Sequence, residues 1–188
     1  ATLREEAFMS RFADRIPVMG KVVAASSRAY TGYLNRLRYS SYKQIANKFI
    51  KSGLNPNTDK KAFTDLANMV NVFTGRGDIG KLGRISEELN TVFFAPRLVA
   101  SRIQALNPVW YMKQHPAVRK EAIKSMAEFA GTVLTITGLA KMAGADVEFD
   151  PRSSDVFKIR VGNTRWDIAA GFGQYIRAFA QIASGERK

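Results

Sequence analysis
Three groups of residues carry side chains of the kind that catalysis or metal binding requires. Thr74-Gly75-Arg76-Gly77-Asp78-Ile79-Gly80-Lys81 has the spacing of a phosphate-wrapping loop, a Gly, four residues, then Gly-Lys. That loop needs a hydroxyl residue next, to hold Mg²⁺, and Leu82 stands there instead. It also needs a strand before it, whereas an amphipathic helical pattern precedes this one. The stretch therefore reads as a flexible helix-to-helix connection with a basic tip that can still touch a phosphate. Asp146, Glu148, Asp150 and Asp155 gather carboxylates of the type that bind Ca²⁺ or Mg²⁺. They lack the Gly and closing Glu of an EF-hand, so a solvated acidic turn without metal is expected. Ser153 and Ser154 have no base beside them. His115 is the single histidine and precedes Pro116 at an expected helix start, which suits a helix cap or a surface role better than catalysis. The absence of cysteine excludes disulfides, thiolate nucleophiles and thiolate metal sites. The chain is expected to be no enzyme and to use no cofactor.

Charge is the more informative feature. The 29 Lys and Arg outnumber the 16 Asp and Glu, for a net charge of +13. An imbalance of that size speaks to partners rather than fold, and polyanions are the natural ones: DNA, RNA or an anionic membrane surface. The charge is also unevenly placed. No acid lies between Asp14 and Asp59, an interval that holds Arg15, Lys21, Arg28, Arg36, Arg38, Lys43, Lys48 and Lys51. No acid lies between Glu88 and Glu121, an interval that holds Arg97, Arg102, Lys113, Arg119 and Lys120. A helix of one sign forgoes the opposite-charge pairs that ordinarily support exposed helices. Arg28, Arg36, Arg38 and Lys43 are interleaved with Tyr30, Tyr33, Tyr39 and Tyr42. Cations pair with phosphates and aromatic faces stack on unpaired bases, so this interleaving suits nucleic acid. The alternative is that Tyr30 and Tyr33 belong to a core stripe and the cations only solvate the other face. The expected binding residues are Arg28, Arg36, Arg38, Lys43, Lys48, Arg97 and Arg102, and no spacing matches a DNA-reading motif.

The elements that must position these residues are mostly helices. Leu3, Ala7, Phe8 and Phe12 predict a short helix ending before Pro17. Ser26 or Ser27 is read as the cap of a long helix reaching about Ser52 and stopped by Gly53. A third helix starts near Thr58 or Asp59, with Phe63, Leu66, Ala67, Met69, Val70 and Phe73 as its apolar stripe. Another is expected from about Ile85, kinked or broken at Pro96, resumed through Leu98 and Ile103, and ended by Pro108. Pro116 begins a helix to about Gly144, whose second half, rich in Gly, Thr and apolar residues, is expected to be central and tightly packed. Its apolar run is too short to span a bilayer, which takes roughly 20 residues. Alternation on either side of Gly162-Asn163 predicts a β-hairpin, and a last helix ends at Gly185. The expected fold is mainly α, a bundle of five to seven helices with a small hairpin near residues 157–168, in a single domain of 188 residues. The first residues carry no secretion signal, and the missing initiator Met suggests a piece of a longer multidomain protein.

Four blocks together resemble one family: Ser27-Arg28-Ala29-Tyr30-Thr31-Gly32-Tyr33-Leu34-Asn35-Arg36-Leu37-Arg38, Asn71-Val72-Phe73-Thr74-Gly75-Arg76-Gly77, Phe94-Ala95-Pro96-Arg97, and Lys158 through Asp167. The family is the helical domain associated with large polyvalent proteins of bacteriophages and related mobile elements. The resemblance implies a helical module of a very long protein that travels with phage DNA into the host, located in the virion and then in the host cytoplasm. It brings no active site with it. The function expected is therefore a basic binding module that contacts DNA without sequence specificity. The alternative is a structural or ejection component that assembles with itself or other virion proteins, or touches membrane.

Overall fold
The computed structural model describes residues 19–80 and 96–185. The helix expected near residues 3–12 and the segment expected from Ile85 to Phe93 lie outside these residues. The chain divides into two compact units, residues 1–119 and 120–188.

In the first unit, α1 (Met19–Lys51) is a 33-residue helix. It begins well before the serines expected to cap it, because nothing in Val22-to-Ser26 breaks a helix. Its end follows the sequence reading. Gly53 adopts a φ of 95°, and the Leu54 amide reaches back to the Phe49 carbonyl at 3.1 Å, closing the last turn. Lys48 and Lys51 in that turn complement the helix dipole. A short turn follows, in which the Asn55 side chain accepts the Asn57 amide at 2.9 Å.

α2 (Lys60–Phe73) buries Ala62, Phe63, Leu66, Met69, Val70 and Val72, most of the predicted stripe. It packs on α1, where Phe49 meets Phe63 edge to face at 6.4 Å. α3 (Pro96–Leu106) packs on α2. The break or kink expected at Pro96 falls at the edge of the described residues, which resume with Pro96 already in α3. Pro108, expected only to end a helix, also starts the short α4 (Pro108–Lys113), with the Asn107 side chain accepting the Val109 amide at 2.9 Å. Six residues are too few to show a helical period, so the sequence did not announce α4. α5 (Pro116–Met142) opens at the end of this unit. His115 caps it as expected: its Nδ1 accepts the Ala117 amide at 3.3 Å.

The second unit holds the rest of α5, then β1 (Asp146–Val147), β2 (Lys158–Val161), β3 (Thr164–Asp167) and α6 (Phe172–Ser184). The strands form an antiparallel sheet in the order β1-β2-β3. Val161 pairs with Thr164, so Gly162-Asn163 is a two-residue turn as predicted. Among the described residues Gly162 has φ 58° and Asn163 is not at positive φ, which is the II′ arrangement. β1, two residues long, was invisible to alternation. Val156, Ala169 and Phe172 are buried, and the Phe129 ring of α5 lies 5.4 Å from that of Phe172. The mainly helical class with a small sheet is the one the sequence predicts.

One expectation is corrected here. The second half of α5 is not a tightly packed central helix. Val133 and Thr137 are buried, but Leu134, Ile136, Leu139 and Met142 are exposed, Met142 to 85%. A methyl group at Gly131 or Gly138 would meet nothing within 4 Å. The small residues therefore do not mediate close helix contact among the described residues.

Candidate nucleic-acid interface
α1 contains no acid anywhere along its length. At about 100° per residue, Arg28, Arg36 and Lys43 fall within an arc of about 80°, and they span about 22 Å along the axis. All three are exposed. Tyr39 shares the arc and is 65% exposed. Gly32 lies between Arg28 and Arg36 on the same arc with nothing within 4 Å of a built Cβ, leaving a flat place for close backbone approach. Of the buried residues of α1, Thr31, Arg38 and Phe49 point roughly 110° from the middle of the arc, while Ala46 is buried at the arc's Arg28 edge. Tyr30 and Tyr33 do not enter the core: both are exposed, Tyr33 to 62%. Of the two readings of these tyrosines, the exposed aromatic one is what the geometry carries.

The seven expected binding residues do not form one strip. Lys48 is exposed but turned about 140° from Lys43. Arg38 has a different task. It is 8% exposed, and its guanidinium donates to Thr74 Oγ1 at 2.9 Å, the Thr74 carbonyl at 3.2 Å and Asn35 Oδ1 at 3.2 Å. It ties α1 to the end of α2 and cannot also offer its fork to a phosphate. Arg38→Met, which keeps the aliphatic stem, is expected to destabilise the protein by about 2 kcal/mol in chemical denaturation while leaving any DNA affinity unchanged. Arg97 and Arg102 sit half-buried on α3.

Arg97 belongs to a cleft of about 400 Å³ in the first unit, lined also by Arg76 and Lys113. Sequence reasoning placed Arg76 at the basic tip of a flexible loop, and left Lys113 unassigned. The loop is in fact pinned. The Arg76 amide donates to the Asn71 carbonyl at 2.8 Å and the Gly77 amide to the Arg97 carbonyl at 3.0 Å. Gln104 holds Asp78 from both sides, accepting its amide at 3.0 Å and donating to its carbonyl at 2.9 Å. Lys81, which completes the phosphate-loop pattern, lies outside the described residues.

Three of the four acidic residues before the hairpin are matched by cations. Asp155 meets Lys158 at 3.1 Å and Arg165 at 3.0 Å, Asp150 meets Arg152 at 3.1 Å, and Asp146 faces Arg160 at 3.9 Å. Glu148 accepts the Asp150 amide at 2.9 Å. Among the described residues no cluster of His, Cys, Asp or Glu is arranged to hold a metal ion. The hydrogen bond from Lys158, together with the Arg165 charge, holds the Asp155 carboxyl below its ordinary value against a smaller opposing effect of burial. A lowered folded value means its stabilisation is complete above the ordinary carboxylate range, about 3.9, and is lost as pH falls through the folded value. Acid titration followed by the fluorescence of Trp166 on β3 is expected to show this loss, and Asp155→Asn to flatten it.

Tyr111 shows the opposite shift. Burial raises its phenol, whose OH donates to the Ala105 carbonyl at 2.6 Å. No described helix is long and apolar enough to cross a membrane. No family model, no curated protein and no solved structure matches this chain.

Proposed function
We propose that this chain is a non-catalytic module that binds DNA without reading its sequence, using the exposed arc of α1. The observation that supports this best is the alignment of Arg28, Arg36 and Lys43 on one face of a helix that has no acid. Cations at such spacing neutralise backbone phosphates and release condensed counterions, which gives affinity without base readout. Tyr39 adds an exposed aromatic surface that any unpaired base can meet. The resemblance to phage polyvalent proteins supplies a setting, DNA delivered into a host cell.

Fluorescence anisotropy with unrelated duplexes tests the reading. Similar affinities for all of them at low salt, falling steeply as salt is raised, are expected. Absence of binding at low salt contradicts it.

A second reading, assembly with copies of itself or with other virion proteins, is supported by the exposed Leu134, Leu139 and Met142 of α5 and the exposed Phe179 and Ile182 of α6. Light scattering that finds a defined oligomer, alongside no affinity for DNA, favours this second reading.

A further inference from the structure
β3 is an edge strand. The sheet order gives it one neighbour, β2, and all four of its residues are exposed. The turn at Gly162-Asn163 decides which of its backbone groups are used. Such a turn joins the Val161 carbonyl to the Thr164 amide. The alternation of an antiparallel ladder then turns the backbone groups of Thr164 and Trp166 towards β2, and those of Arg165 and Asp167 outward. Among the described residues no other backbone group bonds these outward N–H and C=O groups. Side chains alternate as well, so Arg165 and Asp167 stand on one face of the sheet and Trp166 on the other. Trp166 is 59% exposed.

An open edge is ordinarily guarded by charge, most often lysine, which repels a second edge. The charges on β3 have opposite signs and cannot do that. They select a register instead. Three antiparallel registers set the outward groups of two such strands against each other. Centred on Arg165, the pairing opposes two guanidiniums. Centred on Asp167, it opposes two carboxylates. Centred on Trp166, it sets each Arg165 directly opposite the other copy's Asp167, and both pairs attract. Each partner has capacity left. Arg165 holds Asp155 through Nε at 3.0 Å, which leaves its terminal nitrogens. Asp167 accepts the Gly171 amide on one carboxylate oxygen at 3.0 Å, which leaves the other. On the opposite face the two indoles meet at a pair without hydrogen bonds, where strands approach to about 4.5 Å between Cα atoms.

We propose that a second copy of this chain docks on β3, edge to edge and antiparallel, about a two-fold axis at Trp166. Main-chain hydrogen bonds from Arg165 and Asp167 supply the attraction, and the alternating side chains supply the register. The interface uses neither the cations of the α1 arc nor the apolar residues of α5 and α6. It therefore stands or falls apart from both readings of function above. Strands this short bury little area, so the dimer is weak, with a dissociation constant on the order of 100 μM.

Sedimentation equilibrium of the chain at rising concentration is expected to show monomer and dimer in exchange. Two-fold symmetry makes every substitution act twice. Arg165→Glu and Asp167→Lys, each alone, are therefore expected to weaken dimerisation about tenfold or more. An equal mixture of the two is expected to regain it, because the acidic edge of one variant then faces the basic edge of the other. Arg28→Gln/Arg36→Gln/Lys43→Gln is expected to leave it unchanged. Trp166→Lys, at an exposed position, opposes two ammonium groups across the axis and carries the test if the charge variants do not fold. A chain that stays monomeric in the millimolar range overturns the proposal. So does dimerisation undiminished by Trp166→Lys, and so do folded charge variants that fail to recover in the mixture. A dimer lost in Leu139→Ser/Met142→Ser but kept in Trp166→Lys places self-association on α5 and overturns it as well.

Discussion

Replacing Gly77 by alanine is expected to lower the melting temperature of the N-terminal unit by roughly 10 °C. The reason is space alone. Gly77 is not among the glycines at positive φ, so alanine suits its backbone. What alanine cannot do is fit: its Cβ would lie 2.2 Å from the Ser101 nitrogen, 2.6 Å from the Ala100 carbonyl carbon and 2.7 Å from the Ser101 Cα. All three are backbone atoms of α3, and no rotamer change moves them. Either the helix or the loop must shift, breaking the Gly77–Arg97 and Asp78–Gln104 hydrogen bonds that join them. Overpacking of this kind costs about 3 kcal/mol at the upper end of its usual range, and each kcal/mol moves the melting point of a chain this size by about 2–4 °C. Thermal denaturation followed by circular dichroism checks it. Gly131→Ala and Gly138→Ala provide the contrast. Both sit within α5 with open space around them, and alanine there is expected to stabilise by about 1 kcal/mol each. A neutral Gly77→Ala contradicts the close contact between loop and helix.

The largest functional effect is expected from Arg28→Gln/Arg36→Gln/Lys43→Gln. Each of these side chains is exposed on α1, and none supports the core. Glutamine keeps helix propensity close to that of arginine and lysine, so the variant should fold and melt as the parent does. Its affinity for duplex DNA at low salt is expected to fall roughly 30-fold or more, the consequence of removing three phosphate contacts. A matched variant separates geometry from bulk charge. Lys60→Gln/Lys120→Gln/Lys124→Gln removes the same three charges from exposed positions elsewhere, taking the net charge from +13 to 13 − 3 = +10 in both cases. The matched variant is expected to lose only a few-fold. Equal losses in both contradict an interface on α1.

Much of this arrangement was legible in the residues. Gly53 marked the end of α1, Phe63 to Val70 marked the buried face of α2, and the alternation around Gly162-Asn163 gave the hairpin its register, because each of these is a local property of the chain. The acid-free run from Arg15 to Thr58 was equally plain. What the sequence could not convey is direction. Arg38 and Arg36 look alike in one dimension, yet two residues of helix turn Arg38 about 200° and place its guanidinium on Thr74, 36 positions away. Arg76, Arg97 and Lys113 are far apart in sequence and line one cleft only because α2, α3, α4 and the loop pack around it. The apolar second half of α5 misled for the same reason. A run of Leu, Ile and Thr reads as buried, and whether a neighbour covers it is settled by tertiary packing. Among the described residues Leu134, Leu139 and Met142 stay exposed.

The salt dependence of DNA binding, compared between the parent and the Arg28/Arg36/Lys43 triple variant, tests the account most directly. Each phosphate contact contributes about 0.9 to the slope of log K against log salt. The slope of the triple variant is predicted to be shallower than that of the parent by about 2.7, with unrelated duplexes giving the same difference. Identical slopes for the two proteins contradict the assignment of the interface to α1.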